Sequence, residues 1–80
     1  MSRAREVVEV VARTLADKPD AVRVTERDKR GQTFVELTMA PGDLGRVIGR
    51  QGRTAAAIRT LANLAAELEG RKVTVDFRDE

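Results

Sequence analysis

The sequence contains no cysteine and no histidine. Without cysteine no disulfide can form, and nothing points to an oxidising compartment. Because both residue types are absent, the chain also lacks the usual ligands of a transition metal and the usual general base near neutral pH. We therefore expect no metal, no cofactor and no catalytic activity.

Aromatic residues and long apolar runs are scarce as well. There is no tryptophan, no tyrosine and only two phenylalanines, which argues against the aromatic base-stacking platforms of RRM and OB-fold domains. The basic start, Met1–Arg5, is followed by a stretch that Glu6, Glu9 and Arg13 interrupt, which excludes the apolar core of a signal peptide or membrane span. We expect a cytoplasmic protein with no membrane contact.

The 80 residues are enough for one small domain, which we place at residues 1–80. With 41% hydrophobic and 35% charged residues, the composition is that of a globular chain. The net charge is only +2, but it is unevenly distributed. Between Leu44 and Ala66 there are four arginines and no acidic residue, so the other residues sum to −2. This basic segment indicates a local anion-binding face.

The first half of the sequence predicts a helix and a hairpin. Ser2 to Asp17 is typical of an amphipathic helix with Ser2 as the N-cap and Pro19 beyond its end. The predicted apolar face consists of Ala4, Val8, Val11 and Leu15. Alternating patterns predict strands at Ala21–Arg27 and Thr33–Ala40, joined by a polar turn at Asp28–Gly31. Val35, Leu37 and Met39 share the buried face of the second strand, and Phe34 lies on the other face.

The second half predicts two helices and a last strand. Asp43 is suited to cap a short helix over 44–48, and the stretch from Gly49 to Gly52 interrupts it. A long helix should follow from Arg53 to about Glu69, with Gly70 as its stop signal. Its predicted common face consists of Ile58, Leu61, Ala62, Ala65 and Leu68. Residues 72–77 alternate again and predict a strand, so the element order is α-β-β-α-α-β.

The two glycines of Gly49–Gly52 allow a sharp reversal, because glycine tolerates positive φ and has no Cβ to keep a ligand away. The first amides of the next helix, at Arg53 and Thr54, lie beside this loop and favour an anion such as phosphate. Arg50 and Arg53 add full positive charges there. A G-x-x-G pattern alone also fits an ordinary corner between two helices.

In its context, the stretch from Asp43 to Leu61, which contains Val47-Ile48-Gly49-Arg50-Gln51-Gly52-Arg53-Thr54, resembles the small bacterial KH-domain protein family KhpA. The resemblance covers essentially the whole chain. It implies an α+β fold of the type II KH class, with three helices on one face of a three-stranded mixed sheet. The first two strands would be antiparallel, and the last would lie parallel to the second. The implied ligand is single-stranded RNA, held by its backbone in the loop.

The resemblance also implies roles for individual residues. Gly49, Arg50, Gln51 and Gly52 would hold phosphate, with Arg53 and Thr54 beside them. Val47, Ile48, Ile58, Leu37 and Met39 would form the groove or its floor, although packing is favoured over base contact for Val47, Ile48 and Ile58. Arg46 and Arg59 could each reach phosphate or belong to a solvated helix face.

Two departures from the broad KH pattern affect this expectation. Ala55 stands where many KH domains have a larger aliphatic residue, so the groove floor should be shallower or backed by a neighbouring side chain, and base selectivity at this position should be lower. The connection Glu69–Arg71 is very short and corresponds to the variable loop that forms the opposite wall in many type II domains. A minimal wall predicts weak, permissive binding that a second subunit or a partner would strengthen.

The family resemblance implies partners and a process too. Proteins of this kind are similar to RNA chaperones that self-associate and pair with a larger KH-containing protein, KhpB, in post-transcriptional control linked to cell elongation and wall synthesis. The alternative is a protein-interaction scaffold with a vestigial RNA groove. A nucleotide enzyme is excluded, because neither a Walker loop nor a dinucleotide fingerprint is present. Asp76, Asp79 and Glu80 are interpreted as a solubilising tail.

Overall fold

The chain folds in the predicted α-β-β-α-α-β order in the computed structural model, which describes residues 2–79. The elements are α1 (Arg3–Leu15), β1 (Arg23–Lys29), β2 (Gln32–Met39), α2 (Pro41–Ile48), α3 (Arg53–Leu68) and β3 (Lys72–Asp79), with single 3-10 turns at Pro19–Ala21 and Arg50–Gly52. Ala21 thus belongs to a turn and not to β1. Within residues 2–79, no helix has the length and apolar character needed to span a bilayer.

The sheet has the order β1-β2-β3, with β2 in the centre. β1 and β2 are antiparallel, from the pair Arg23 and Thr38 to the pair Lys29 and Gln32. β2 and β3 are parallel, so the predicted mixed sheet of the type II KH fold is confirmed. The hairpin turn is shorter than predicted, because 28 and 29 still pair and only Arg30 and Gly31 connect the strands, with φ of 52° and 80°. Positive φ at both positions gives a turn whose twist matches that of the strands.

The core lies between one face of the sheet and the helices. On β2 the side chains of Thr33, Val35, Leu37 and Met39 are all buried, which confirms the predicted stripe, and Phe34 is half-buried on the other face. The buried apolar residues that meet there from the rest of the chain are Ala4, Val8, Ala12, Val22, Val47, Ile58, Ala62, Ala65, Ala66 and Val75. Every helix contributes side chains to this cluster. The cluster therefore determines the position of the junction between α2 and α3.

Helix α1 begins as predicted and ends earlier. The Ser2 hydroxyl oxygen accepts a hydrogen bond from the Arg5 amide at 3.1 Å, so the N-cap is confirmed. The helix ends at Leu15, two residues before the predicted Asp17, since Ala16 is already extended. Ala4, Val8 and Ala12 are its buried residues, whereas Leu15 is 38% exposed. The buried face of α1 therefore follows the i, i+4 row of positions 4, 8 and 12, whereas the predicted face continued from 8 to 11 and 15.

The prediction that Asp43 caps the short helix is wrong. α2 already begins at Pro41, whose fixed φ suits a first helical position, and Ala40 occupies the cap. Asp43 is only 5% exposed, and its carboxylate accepts hydrogen bonds from the amides of Lys18 at 2.9 Å and Asp17 at 3.1 Å. The Lys18 and Asp17 amides lower the pKa of the Asp43 carboxyl, against a smaller raising effect of burial. Asp43 therefore ties the segment after α1 to α2.

Helix α3 faces the core with alanines more than predicted. Ile58, Ala62 and Ala65 are buried as expected, but Leu61 and Leu68 are 48% and 77% exposed. Ala55 and Ala66 take their places in the core, because small side chains let the helix lie close to its neighbours.

The end of α3 was predicted well, and the end of β3 was not. Gly70 has φ of 68°, and the amide of Arg71 donates to the carbonyl of Ala66 at 2.9 Å, so the stop signal is confirmed. β3 runs on to Asp79, so Asp76 and Asp79 belong to a strand and not to a tail; Glu80 lies outside the described residues.

Candidate nucleic-acid interface

The loop between α2 and α3 reverses the chain by unusual backbone angles. Gly49 has φ 75° and ψ 174°, Gln51 has φ 57° and ψ 24°, and Gly52 has φ 71° and ψ 15°. Gly49 donates its amide to the carbonyl of Gly45 at 2.9 Å, and Gly52 donates to Gly49 at 3.2 Å. Internal hydrogen bonds therefore close the loop into a defined shape before any ligand arrives.

Gly49 is required at its position for two independent reasons. Its φ and ψ lie in a region that is essentially open to glycine alone. A Cβ built on it would lie 2.5 Å from Oγ1, 2.9 Å from Cβ and 3.1 Å from the amide nitrogen of Thr54. The half-buried Thr54 thus packs directly against the missing side chain.

Gly52 leaves the start of α3 open. It is the N-cap, and it supplies no side-chain oxygen to the first-turn amides. A Cβ at Gly52 would meet no heavy atom within 4 Å, so the space beside the helix start is empty. Because the first turn contains no acidic residue, the partial positive charge of the helix end is not neutralised locally.

Three exposed polar side chains surround this opening: Arg50, Gln51 and Arg53. Within residues 2–79, neither Arg50 nor Arg53 forms an ion pair. The amide of Arg53 donates to the carbonyl of Arg50, so the prediction that this amide is free for an anion is wrong. The loop combines the uncapped start of α3 with two solvated guanidinium groups, which is a suitable environment for a phosphate.

The apolar residues predicted for the groove are mostly core. Val47, Leu37 and Met39 are fully buried, and Ile58 is 1% exposed, so these side chains support the loop and α3 from below. Ile48, the last residue of α2, is 37% exposed beside the loop. Ala55 is 4% exposed, so it belongs to the core at the start of α3.

Arg46 and Arg59 are each engaged elsewhere. Both terminal nitrogens of Arg46 contact the Asp17 carboxylate at 2.8 Å. Arg59 donates from Nε to the carbonyl of Val75 at 3.3 Å, and its guanidinium carbon lies 4.8 Å from the ring centroid of Phe77.

The structure therefore groups 48–54 around one opening and places Arg59 against β3. Sequence reasoning assigned Phe77 only to a strand. The sequence feature that indicates its contact with α3 is the i, i+2 spacing of Phe77 from Val75, because this spacing places both side chains on the face of β3 that packs against α3.

Comparisons with known proteins agree with this geometry. The model of the family described as KhpA/KhpB, KH domain, matches residues 5–77. A protein of Caldanaerobacter subterraneus subsp. tengcongensis named RNA-binding protein KhpA is 48% identical over 72 residues, covering 90% of this chain and 96% of that protein. Proteins of the same name from Clostridium perfringens and Aquifex aeolicus are 46% and 40% identical, and the alignments cover 91% and 96% of this chain and 97% and 98% of theirs.

Solved structures share the fold. Era in complex with MgGDPNP and nucleotides 1506-1542 of 16S ribosomal RNA matches 95% of this chain with a TM-score of 0.63 and 22% identity. Aquifex aeolicus Era bound to GDP.AlF4− matches 96% with a TM-score of 0.64 and 21% identity. This chain spans 29% and 30% of those two proteins.

Proposed function

The chain belongs to the KhpA/KhpB KH-domain family, and from that premise we propose that it binds single-stranded RNA by its backbone at the loop Gly49–Gly52. In this proposal residues 1–80 form one non-catalytic, cytoplasmic domain. The observation that carries it is the loop itself, where glycine at 49 and 52, the uncapped start of α3 and two arginines without an ion pair in residues 2–79, Arg50 and Arg53, meet.

The proposed mechanism uses the absence of side-chain bulk. A phosphate enters beside Gly52, where a Cβ would meet nothing within 4 Å, and accepts hydrogen bonds from first-turn amides of α3 other than that of Arg53, which donates to Arg50. Arg50 and Arg53 then contact the same or the adjacent phosphate with charge-assisted hydrogen bonds. Ile48, which is 37% exposed, offers apolar surface to the sugar or base, so the sequence of the RNA matters little at the loop.

A charge-reversal variant tests the loop. Arg50→Asp with Gln51→Asp changes the net charge by −3 and places two carboxylates against the expected phosphate, so we expect at least a tenfold loss of affinity for a labelled single-stranded RNA. Both side chains are exposed, so the thermal unfolding temperature should hardly change.

The matched control is Arg30→Asp with Gln32→Asp, which changes the net charge by the same amount. Gln32 pairs with Lys72, which follows the C-terminal end of α3, so this site lies at the other end of α3 from the loop. Equal affinities of the two double variants would refute a clamp at the loop, and no binding by the wild type would refute RNA binding altogether.

Salt dependence gives a second test. Each phosphate neutralised on a single strand should lower log K by about 0.7 per decade of salt. Two or three contacts at the loop therefore predict a slope of about −1.4 to −2.1. An affinity that is independent of salt would argue against a backbone clamp.

A second proposal concerns partners, and an exposed apolar surface favours it. The apolar surface consists of Leu61, Leu64 and Leu68 of α3 with Val10 of α1, which are 48%, 54%, 77% and 64% exposed. A groove of about 530 Å³ lies between these two helices, and Val10 and Leu68 line it. Exposed apolar side chains in such a cluster mark interaction sites. We propose that the chain self-associates here or pairs here with a KhpB-like protein.

The family resemblance extends this proposal to RNA chaperone activity in post-transcriptional control, with a role in cell elongation and wall homeostasis. The alternative function, a scaffold whose RNA groove is vestigial, would use the apolar surface alone.

Leu68→Glu should abolish self-association, measured by sedimentation equilibrium, with little loss of stability because the side chain is 77% exposed. Asn63→Glu, an exposed change on another face of α3, is its control. A wild type that is monomeric at all concentrations, or a Leu68→Glu variant that still associates, would contradict self-association at this surface.

A further inference from the structure

The contacts of Arg59 indicate a role that differs from phosphate binding. Its guanidinium lies over the ring of Phe77, 4.8 Å from the centroid, within the range of a cation–π contact. Its Nε donates to the carbonyl of Val75 at 3.3 Å. One face and one edge of the guanidinium are therefore held by β3, although the residue as a whole is exposed.

The two terminal amino groups of Arg59 remain available. Within residues 2–79 they have no hydrogen-bonding partner, and the segment from Leu44 to Ala66 has no acidic residue. The neighbouring acid on β3, Asp76, lies on the opposite face of the sheet, where it contacts Arg78 at 3.1 Å. Since no carboxylate competes for them, these amino groups form an immobilised pair of parallel donors.

The position of Arg59 relates this donor pair to the loop. Six residues along α3 separate Arg53 from Arg59, which is about 9 Å at 1.5 Å per residue. β3 is an edge strand, and Arg59 bridges α3 to this edge at Val75. An RNA strand that is held by phosphate at the loop and runs along α3 on the side of β3 would pass Arg59 within one or two nucleotides.

We propose that Arg59, fixed on Phe77 and the carbonyl of Val75, reads one base of the bound strand and selects guanine. Guanine presents two adjacent acceptors, O6 and N7, which match the parallel donors of a guanidinium, whereas adenine places an amino donor beside N7. A lysine at this position would lack the planar guanidinium that stacks on Phe77, and its flexible ammonium would not hold two donors in a fixed parallel pair. The inference rests on the proposed RNA binding and adds base selection at a site distinct from the phosphate loop.

The contacts of Arg59 with Phe77 and Val75 are important for base selection, because an unrestrained arginine side chain would bind a phosphate as readily as a base. With Nε committed to Val75 and one face covered by Phe77, the guanidinium cannot turn its fork toward the loop without losing both contacts. Fixing a side chain in its bound geometry reduces the entropy lost on binding. Arg59 is thus a specificity residue, and Phe77 is the residue that positions it.

The test compares labelled octamers of uridine in which one guanosine or one adenosine replaces each position in turn, measured by fluorescence anisotropy. For the wild type we expect one register in which guanosine binds about 5- to 150-fold more tightly than adenosine. Arg59→Lys keeps the charge and should bring the two affinities to within about twofold, while the uridine octamer still binds. Phe77→Leu should also reduce the preference, because the guanidinium loses its support.

Arg53→Lys is the control, since the same change at the loop should leave the guanosine preference intact. Circular dichroism of each variant checks that the fold is kept. Equal affinities of guanosine and adenosine octamers for the wild type, or an undiminished preference in Arg59→Lys, would overturn the role of Arg59 and leave RNA binding standing. Failure of the wild type to bind any octamer would overturn both proposals.

Discussion

Replacing Gly49 by alanine is the sharpest test of the loop geometry. The backbone at φ 75° and ψ 174° costs about 1–3 kcal/mol for a residue with a Cβ. The new methyl group would also lie 2.5 Å from Oγ1 and 2.9 Å from Cβ of Thr54, and overpacking of this kind costs about 1–3 kcal/mol. We therefore expect Gly49→Ala to lower the free energy of unfolding by about 2–6 kcal/mol.

That loss is large for this chain. A domain of 80 residues is stable by about 4–12 kcal/mol, and each kilocalorie shifts the unfolding temperature by about 4–8 °C. The variant should therefore melt at least about 8 °C below the wild type in circular dichroism. Removing the nearest contact with Thr54→Ala in the Gly49→Ala background should recover part of the loss.

Two other glycines provide graded controls. At Gly52 an added Cβ meets nothing within 4 Å, so Gly52→Ala should cost only the left-handed backbone, about 1–2 kcal/mol. Gly45 lies inside α2 with open space around it, so Gly45→Ala should stabilise the chain by about 0.5–1 kcal/mol. If Gly49→Ala proved no less stable than Gly52→Ala, the close approach of Thr54 to Gly49 would be refuted.

Three further predictions concern the scaffold. Because the amides of 17–18 donate hydrogen bonds to the Asp43 carboxylate, the pKa of this carboxyl is lower in the folded state. The carboxylate therefore contributes stability that is present above about pH 4 and is lost as the pH falls through the folded-state pKa. In urea unfolding, the loss of stability caused by Asp43→Asn should be largest at neutral pH and shrink in acid. Arg30→Asn should raise the unfolding temperature by a few degrees, because asparagine tolerates φ of 52° in the hairpin turn better than arginine; no gain would argue against that turn. Arg46→Ala should lower the free energy of unfolding, measured with urea, by less than about 1 kcal/mol, since its ion pair with Asp17 is more than half exposed. A larger loss would show that this ion pair stabilises the fold more than an exposed pair does.

Local signals accounted for the parts of the fold that were predicted correctly. The period-2 pattern of Val35, Leu37 and Met39 identified the buried face of β2, and Gly70 identified the end of α3, because each depends on residues within a few positions. Asp43 was misassigned because capping chemistry fits several partners. Its carboxylate binds the amides of 17–18, some 25 positions away in sequence, and no local pattern reveals that choice.

The candidate site divides in the same way. The glycine pattern predicted the loop, since positive φ at Gly49 and Gly52 is a property of the chain itself. The support of Arg59 by Phe77 was not predicted, because it depends on which side chain of α3 lies over the ring, and the strand order alone does not determine that. The exposure of Leu61 and Leu68 was missed for a related reason, since helical periodicity alone does not indicate that alanines form the contact face.

The closed loop has a kinetic consequence. Because its reversal is already formed by internal hydrogen bonds and by the positive φ of Gly49, Gln51 and Gly52, a ligand has no segment to order on arrival. Association should then proceed as docking of a rigid surface, accelerated by the nearby arginines at low ionic strength. Differences between RNA sequences should consequently be expressed in how long each complex persists and not in how fast it forms.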